Sequence, residues 1–165
     1  MAKVRIAYSK AGSQPAAVVI QDDTAIIDHK LYCLGLKSLA EANFLCAILN
    51  SETARAAAEH WQSEGQWGKR DFDKAVFNLP IPLFNATNPL HNALAKAAAK
   101  AEKLAAKVEL KEGEHFPRTR KRIRQALIAN GVAIEIETLV AQLIGVAPVP
   151  ITISDDELVE DDDAD

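Results

Sequence analysis

The hydrophobic pattern of this chain changes its period once, near residue 38, and this change constrains the fold more than any other feature. Residues 3–8 alternate polar and apolar side chains, which is typical of a half-buried strand. From Leu39 onward the apolar residues recur at helical spacing. The pattern predicts an α+β fold in which a small antiparallel or mixed sheet with packed helices precedes a long helix and a short helical appendage.

Four strands are expected before the change of period, at residues 3–8, 16–20, 24–28 and 31–36. The first helix is expected to begin after Ser38, because Glu41 follows at the spacing of a capping box. Ser51 is expected to cap a second helix that continues to about residue 62.

The later part of the chain predicts three more helices. Pro89 opens the long one, since proline is well tolerated at the first helical position. A basic helix ends before Gly131, and a short apolar helix covers residues 133–144. We therefore expect boundaries that give four segments: 1–88, 89–111, 112–147 and an extended acidic end, 148–165, for which the composition predicts disorder.

The long helix carries a heptad-like seam with small alanines in its middle. Two interpretations remain open at this point: the helix packs on its own domain, or it is an arm that pairs with another helix, including that of a second copy. The seam residues are Leu90, Leu94, Ala97, Ala101, Leu104 and Val108.

Residues 65–82 combine glycines, cations and aromatic side chains with a rigid end. Gly65 and Gly68 favour a loop that displays its neighbours outward. The prolines of Leu79–Pro82 fix an extended exit. We expect a display loop that ends in a stiff strut.

The charge is unevenly distributed. Eight of the 23 acidic residues and no cation lie in residues 155–165, so the rest of the chain has 19 cations against 15 acids. That excess is compatible with a polyanionic partner. The acidic end could also fold back on the basic segment 118–124 and compete with such a partner.

The location expected from the sequence is the cytoplasm. No apolar run approaches the ~20 residues of a membrane span, and the first residues lack the apolar stretch of a signal peptide. Cys33 and Cys46 lie in apolar patterns without metal-ligand spacing, which favours buried free thiols, although a disulfide between them remains an alternative.

No catalytic or cofactor-binding pattern is present in the sequence. The four histidines are scattered and form no i, i+4 pair that would suggest a metal site. Phosphate-binding glycine loops, dinucleotide fingerprints and serine elbows are also missing. We therefore expect neither an enzyme by itself nor a bound cofactor.

Several segments nevertheless resemble a known family. The run Glu41–Ser51, the loop Gly65–Lys74 and the exit Leu79–Pro82, together with Arg5–Tyr8 and Ala25–Tyr32, are similar to the TaqI-like C-terminal target recognition domain of N6-adenine DNA methyltransferases from restriction–modification systems. The resemblance covers about residues 3–110. Specificity subunits of type I restriction enzymes are similar too, because a comparable exit there leads into a long coiled-coil helix.

The resemblance implies that segment 1–88 is a target recognition domain that binds duplex DNA and reads bases with loops. The Asn-Pro-Pro-Tyr type of methyltransferase motif and the half that binds S-adenosylmethionine are missing, so a separate methyltransferase or restriction subunit would be a partner. Lysines and arginines would contact phosphates or guanine, and glutamines would pair with adenine. The DNA-binding residues expected are Lys10, Gln14, Lys30, Gln66, Trp67, Lys69, Arg70, Lys74, Arg118, Arg120, Lys121, Arg122 and Arg124.

Two of these assignments have alternatives. Trp67 could cover its own core instead of stacking at DNA, and the basic segment could be an ordinary solvated helix start. For the whole chain, the alternative function is a protein-interaction or scaffold module that pairs through the seam of residues 90–108.

Overall fold

The chain folds as an α+β protein. The computed structural model describes residues 4–10, 16–65, 68–69, 72–111 and 113–151, with residues 64, 65, 68, 69 and 116 described by backbone alone. A three-stranded antiparallel sheet has the order β2-β1-β3, and five α-helices follow it within the described residues. The strands are β1 (Val4–Ser9), β2 (Ala17–Ile20) and β3 (Leu31–Leu36).

The central strand β1 has a helix-facing side and an opposite side, as its alternating pattern predicts. Ile6 and Tyr8 are buried in the core beneath the helices. Arg5 lies on the other side, where its guanidinium donates hydrogen bonds to the carbonyls of Asp22 at 2.5 Å and Ala25 at 3.1 Å. These bonds hold the connection between β2 and β3 against the sheet.

The strand predicted at residues 24–28 does not form, and this expectation was wrong. Both β2 and β3 pair antiparallel with β1, so residues 21–30 must cross from one end of the sheet to the other. The Ala25 carbonyl accepts from Arg5, and Asp22 closes a turn by accepting from the Thr24 backbone N–H. Ile26 is 97% exposed. Both edges of β1 are already occupied, so the crossover could only have joined an outer edge of the sheet.

The capping signals at Ser38 and Ser51 are confirmed. The Ser38 side chain accepts from the backbone N–H of Glu41, whose carboxylate accepts in turn from the backbone N–H of Lys37. This reciprocal pair starts helix α1 (Leu39–Leu49). Ser51 accepts from the Ala54 N–H and starts α2 (Glu52–Ala58), which continues as a short 3-10 helix, Glu59–Trp61.

The next segment contains a hairpin and then the long helix. Strand β4 (Glu64–Gly65) pairs with β5 (Gly68–Lys69), and a 3-10 helix, Ala75–Asn78, follows. Helix α3 (Pro89–Ala105) begins as predicted with proline at its first position, and Asn88 accepts from the Leu90 N–H.

The last two helices meet at a glycine. Helix α4 (Phe116–Ala129) ends before Gly131, which has a φ of 77°, and α5 (Val132–Ile144) follows directly. A positive φ of this kind is cheap for glycine and costly for other residues. No single helix in the described ranges is long and apolar enough to cross a membrane; only α4 and α5 taken together reach that length, and they are bent by 79°.

The hydrophobic core is continuous across the boundaries predicted at residues 88 and 111. Ile6 of β1, Phe44 of α1, Leu94 of α3 and Val140 of α5 belong to one buried cluster. Segment 112–147 was expected to be an appendage, yet through Val140 it contributes a fully buried side chain to the same core as the sheet. The physical reason is that α5 has an apolar face that packs against α2 and α3.

The seam of the long helix packs within this chain. Leu94 is fully buried and Ala97 nearly so, and α3 packs mainly against α1 and α5, with a smaller contact to α4. This corresponds to the first of the two interpretations left open by the sequence. Leu90, Ala101, Leu104 and Val108 are partly exposed. A partner helix could not reach the middle of the seam without displacing α1 or α5.

Candidate nucleic-acid interface

Three of the predicted DNA-contacting lysines converge on one end of the sheet. Lys10 follows β1, Lys30 precedes β3, and Lys74 lies 44 residues later. The Lys10 Nζ lies 4.7 Å from the centre of the Tyr32 ring, and the Lys74 Nζ lies 5.8 Å from it. The backbone carbonyl of Lys30 accepts a hydrogen bond from the backbone N–H of Lys10 at 3.3 Å, which places the two residues side by side. We call Lys10, Lys30, Tyr32, Lys74 and Phe77 the cation–aromatic patch.

The aromatic part of the patch rests on the core. Tyr8 and Tyr32 are directly opposed on β1 and β3, and their rings stack with centroids 6.4 Å apart. Phe77 packs against both rings, at 5.2 Å from Tyr8 and 6.0 Å from Tyr32, and remains 49% exposed. Cations arranged around exposed aromatic rings are the combination with which proteins hold nucleic acid backbones and bases.

Asp73 orients this aromatic group. Its carboxylate accepts a 2.7 Å hydrogen bond from the Tyr32 hydroxyl, and this bond is the main reason that the pKa of Tyr32 is raised. Asp73 has a φ of 39°, a left-handed conformation that aspartate tolerates better than most residues. Burial, followed by the charge of Asp73, raises the pKa of Tyr8 to about 12. Both tyrosines therefore stay neutral at physiological pH.

The net charge of this surface is small. Asp28 and Asp73 lie beside the three lysines, which leaves a local excess of one positive charge. Asp28 accepts from the Lys30 N–H, and the Lys10 Nζ donates to the His29 carbonyl at 2.6 Å, so both side chains also brace the turn before β3.

The predicted display loop is a short hairpin whose base lies beside the patch. Gly65 pairs directly with Gly68. Phe72, which is buried, lies three positions after Lys69, so the hairpin strand ends within about 11 Å of that core residue, which immediately precedes Asp73. Gln66, Trp67 and Arg70 lie outside the described residues, as do Gln14 and the acidic end, and the Lys69 side chain does too.

Two of the five cations of the basic segment on α4, Arg122 and Arg124, bind acceptors in other parts of the chain. Arg122 donates to Glu114 at 2.5 Å and to the Glu109 carbonyl, while Arg124 pairs with Glu52 at the start of α2. A run of cations at a helix N-terminus opposes the helix dipole, and an anionic partner was expected for that reason. Glu114 and Glu52 supply that negative charge from within the chain.

The other three cations of the segment have different surroundings. Arg118 is exposed, whereas Arg120 and Lys121 are partly buried and have interactions of their own. Arg120 also lines a cavity between the helices. Several of the α4 cations therefore take part in packing and ion pairs within the chain, and in this they differ from the lysines of the cation–aromatic patch.

Both cysteines are free thiols. Cys46 is partly buried, and the loss of hydration raises the pKa of its thiol to about 11. Cys33 is exposed on β3, so the expectation of a buried side chain was wrong there. The strand alternates its faces, and Cys33 is paired with Ala7 on the side away from the helices. Within the described ranges, no three histidine, cysteine or acidic side chains are placed to hold a metal ion.

Sequence reasoning missed the aromatic members of the patch and Asp73. The available signal was the presence of two predicted strands that each carry a tyrosine, since the antiparallel register of β1 and β3 opposes Tyr8 and Tyr32. Phe77 had no comparable signal, because its position depends on how residues 72–79 fold onto the sheet. The comparisons add no relative: the chain matches no protein-family model, no curated protein and no solved structure.

Proposed function

We propose that this protein binds duplex DNA through the cation–aromatic patch and the adjacent hairpin, as a target recognition module without a catalytic half. The observation that carries the proposal is that the ammonium groups of Lys10 and Lys74, which lie far apart in sequence, both approach the ring of Tyr32, with Lys30 two residues before that tyrosine. Closeness in sequence explains the position of Lys30, but it does not require Lys10 and Lys74 to meet at one partly exposed aromatic ring.

The division of labour within this surface follows from its chemistry. Lysine ammonium groups act as point charges that neutralise phosphates, so the patch would fix the position of the duplex without reading its sequence. Base readout would come from the hairpin and its neighbours, where Gln66 and Arg70 are side chains of the types that pair with adenine and guanine edges. Removing the patch should therefore weaken binding to all sequences about equally.

The affinity should be modest and strongly dependent on salt. Asp28 and Asp73 offset two of the three patch lysines, and Arg122 and Arg124 of the basic segment already have carboxylate partners. A separate methyltransferase or restriction subunit with its own phosphate contacts would raise the total affinity. Two free thiols, one of them exposed, fit a reducing compartment, and we place the proposed function in the cytoplasm.

The test is fluorescence anisotropy with a labelled random-sequence duplex, titrated between about 50 and 200 mM salt. For the wild type, log K should fall linearly with log salt. Lys10→Ala and Lys74→Ala should each reduce the slope by about 0.9 if each removes one phosphate contact. Lys96→Ala, on the exposed side of α3, is the matched control and should leave the slope unchanged.

Two results would count against the proposal. One is the lack of binding by the wild type at about 50 mM salt. The other is an equal loss of slope for Lys96→Ala and Lys74→Ala, which would mean that only the total charge matters. Selection of bound duplexes from a randomised pool tests whether the protein reads base sequence. Enrichment of one sequence that Gln66→Ala weakens supports target recognition. A bound pool with no enriched sequence supports binding without sequence preference.

A further inference from the structure

A cavity of about 420 Å³ lies between β2 and the five α-helices, and it shares no residue with the cation–aromatic patch. Its size falls within the range of about 300 to 1,000 Å³ that is usual for small-molecule sites. Helices α1, α3 and α4 each present to it residues spaced three and four apart, so one face of each helix looks into the same space.

The space exists because the facing side chains are small. Ala47 of α1, Ala98, Ala101 and Ala105 of α3 and Ala133 of α5 all line it, and larger aliphatic side chains of α4 complete an apolar wall. Small residues alone would indicate only loose packing. The polar groups on the wall show what could fill the space.

Asn43 is an uncharged polar side chain on this wall. It lies on α1, is 6% exposed and lines the cavity. No hydrogen bond from another described residue reaches its amide, whereas Asn50, one helical face further along, donates to the Ala17 and Cys46 carbonyls. The side-chain nitrogen and oxygen of Asn43 are not among the fully buried polar atoms that lack a partner, so the amide can be reached from the cavity and can hydrogen-bond to a group inside it.

The charged side chains on the wall balance one another. Three carboxylates and three guanidinium groups line the cavity, and Glu52 pairs with both Arg55 and Arg124. Glu137 is bound by the start of α2 through three hydrogen bonds. Burial keeps the Cys46 thiol protonated by raising its pKa to about 11. A charged ligand inside the cavity would therefore lose hydration without gaining an unpaired counter-charge from Glu52 or Glu137, and water screens the charge of the third carboxylate, the exposed Glu102.

We propose that this cavity is a binding site for a small uncharged molecule that has an apolar body and one amide-type polar end hydrogen-bonded to Asn43. The amide-type end matches Asn43 because an asparagine side chain both donates and accepts. The apolar body occupies the alanine-lined space, where it removes its own surface and that of the wall from water.

The experiment uses octanamide as the probe, with octanoate and octylammonium as charged probes of equal chain length. Binding to the full chain is measured by calorimetry and by chemical-shift changes. Octanamide should bind saturably and more tightly than either charged probe. Asn43→Leu keeps the branched shape and the number of side-chain heavy atoms and removes the amide, and it should weaken octanamide binding roughly tenfold. Gln125→Leu, at an exposed amide on α4, is the matched control and should bind as the wild type does.

A second variant keeps the test decisive if Asn43→Leu proves unsuitable. Ala101→Phe places a ring in the cavity and should abolish binding while thermal unfolding remains cooperative. Asn43→Leu itself should unfold at about the same temperature as the wild type, because it removes no hydrogen bond to another described residue.

Three results would overturn the proposal. These are failure of octanamide to saturate, equal octanamide affinity of wild type and Asn43→Leu, and tighter binding of either charged probe. Binding that is detected only after deletion of residues 152–165 would also overturn it, because the chain itself would then be the occupant; Ile151 already lines the cavity. None of these outcomes bears on DNA binding by the patch.

Discussion

Replacing Glu137 with alanine should destabilise the whole protein, although Glu137 lies in the segment that the sequence presents as an appendage. Its carboxylate is 7% exposed and caps the start of α2 from α5, some 85 residues away in sequence. It accepts from the Ser51 hydroxyl at 2.7 Å, the Glu52 N–H at 3.0 Å and the Thr53 N–H at 2.8 Å. The helix dipole at this end of α2 favours the negative charge.

The size of the effect follows from the donors that would lose their acceptor. Thr53 is fully buried, so its N–H should bear a desolvation cost of about 2 kcal/mol. The Glu52 N–H is only partly buried and should add about 1 kcal/mol. The Ser51 hydroxyl can rotate and still accept from the Ala54 N–H, so its loss should be under about 1 kcal/mol. We expect a total of about 3 to 4 kcal/mol.

Urea unfolding followed by both circular dichroism and tryptophan fluorescence measures this change. Both probes should shift together, because the core that Glu137 supports is continuous from β1 to α5. Glu135→Ala, at an exposed carboxylate one half-turn earlier on α5, is the control and should change stability by less than about 0.5 kcal/mol. A loss below about 1 kcal/mol for Glu137→Ala, or separate transitions for the two probes, would refute the reasoning.

Two further predictions concern titrating groups. A thiol reagent at neutral pH should modify the exposed Cys33 first and Cys46 only on unfolding. The reactive species is the thiolate, and the pKa of the Cys46 thiol is raised to about 11. Mass spectrometry of the labelled peptides checks the order, and equal labelling rates would contradict it. The Thr119 hydroxyl and then Arg122 lower the pKa of Glu114, so its stabilising contribution is complete above the ordinary value of 4.5 and is lost as the pH falls through the lower folded value. Glu114→Gln should therefore be less stable than the wild type at pH 7 in urea unfolding, and the difference should shrink below pH 4.5; a difference that grows on acidification would contradict this sign.

The helices could be predicted well because their signals are local. Ser38 and Ser51 are caps that act within one turn, Pro89 starts α3, and Gly131 ends α4 at a left-handed position. Each signal depends on residues no more than four positions away, so no knowledge of the tertiary structure was needed. The same applies to β1, whose alternation directly reflects its two faces.

The strand predicted at residues 24–28 does not form, because a strand needs a pairing partner and the local sequence does not identify one. Their β-branched and apolar side chains suit a strand, yet β2 and β3 occupy both edges of β1. The chain must cross the sheet between these two strands, and Arg5 takes the Ala25 carbonyl that a strand would have used. Topology therefore overrode local propensity at this segment.

The domain boundaries were equally beyond local reasoning. A polar break near residue 112 and a basic helix start suggest an independent appendage, but the buried face of α5 and Glu137 connect it to α1, α2 and α3. Arg124 reinforces the connection through Glu52. These contacts span 72 to 86 residues in sequence, so a composition shift carries no information about them.

At the candidate interface, residue types alone could identify possible phosphate contacts but not which of them lie together. Lys10, Lys30 and Lys74 were recognisable as cations with a possible phosphate role, but each was also an ordinary surface lysine when considered alone. The β1–β3 register brings Lys10 and Tyr32 together, and Phe72 anchors the segment that carries Lys74 beside them. Because the sheet fixes these backbone positions before any ligand binds, binding would cost the patch little conformational entropy. Its contribution to the binding free energy should therefore depend mainly on the salt concentration.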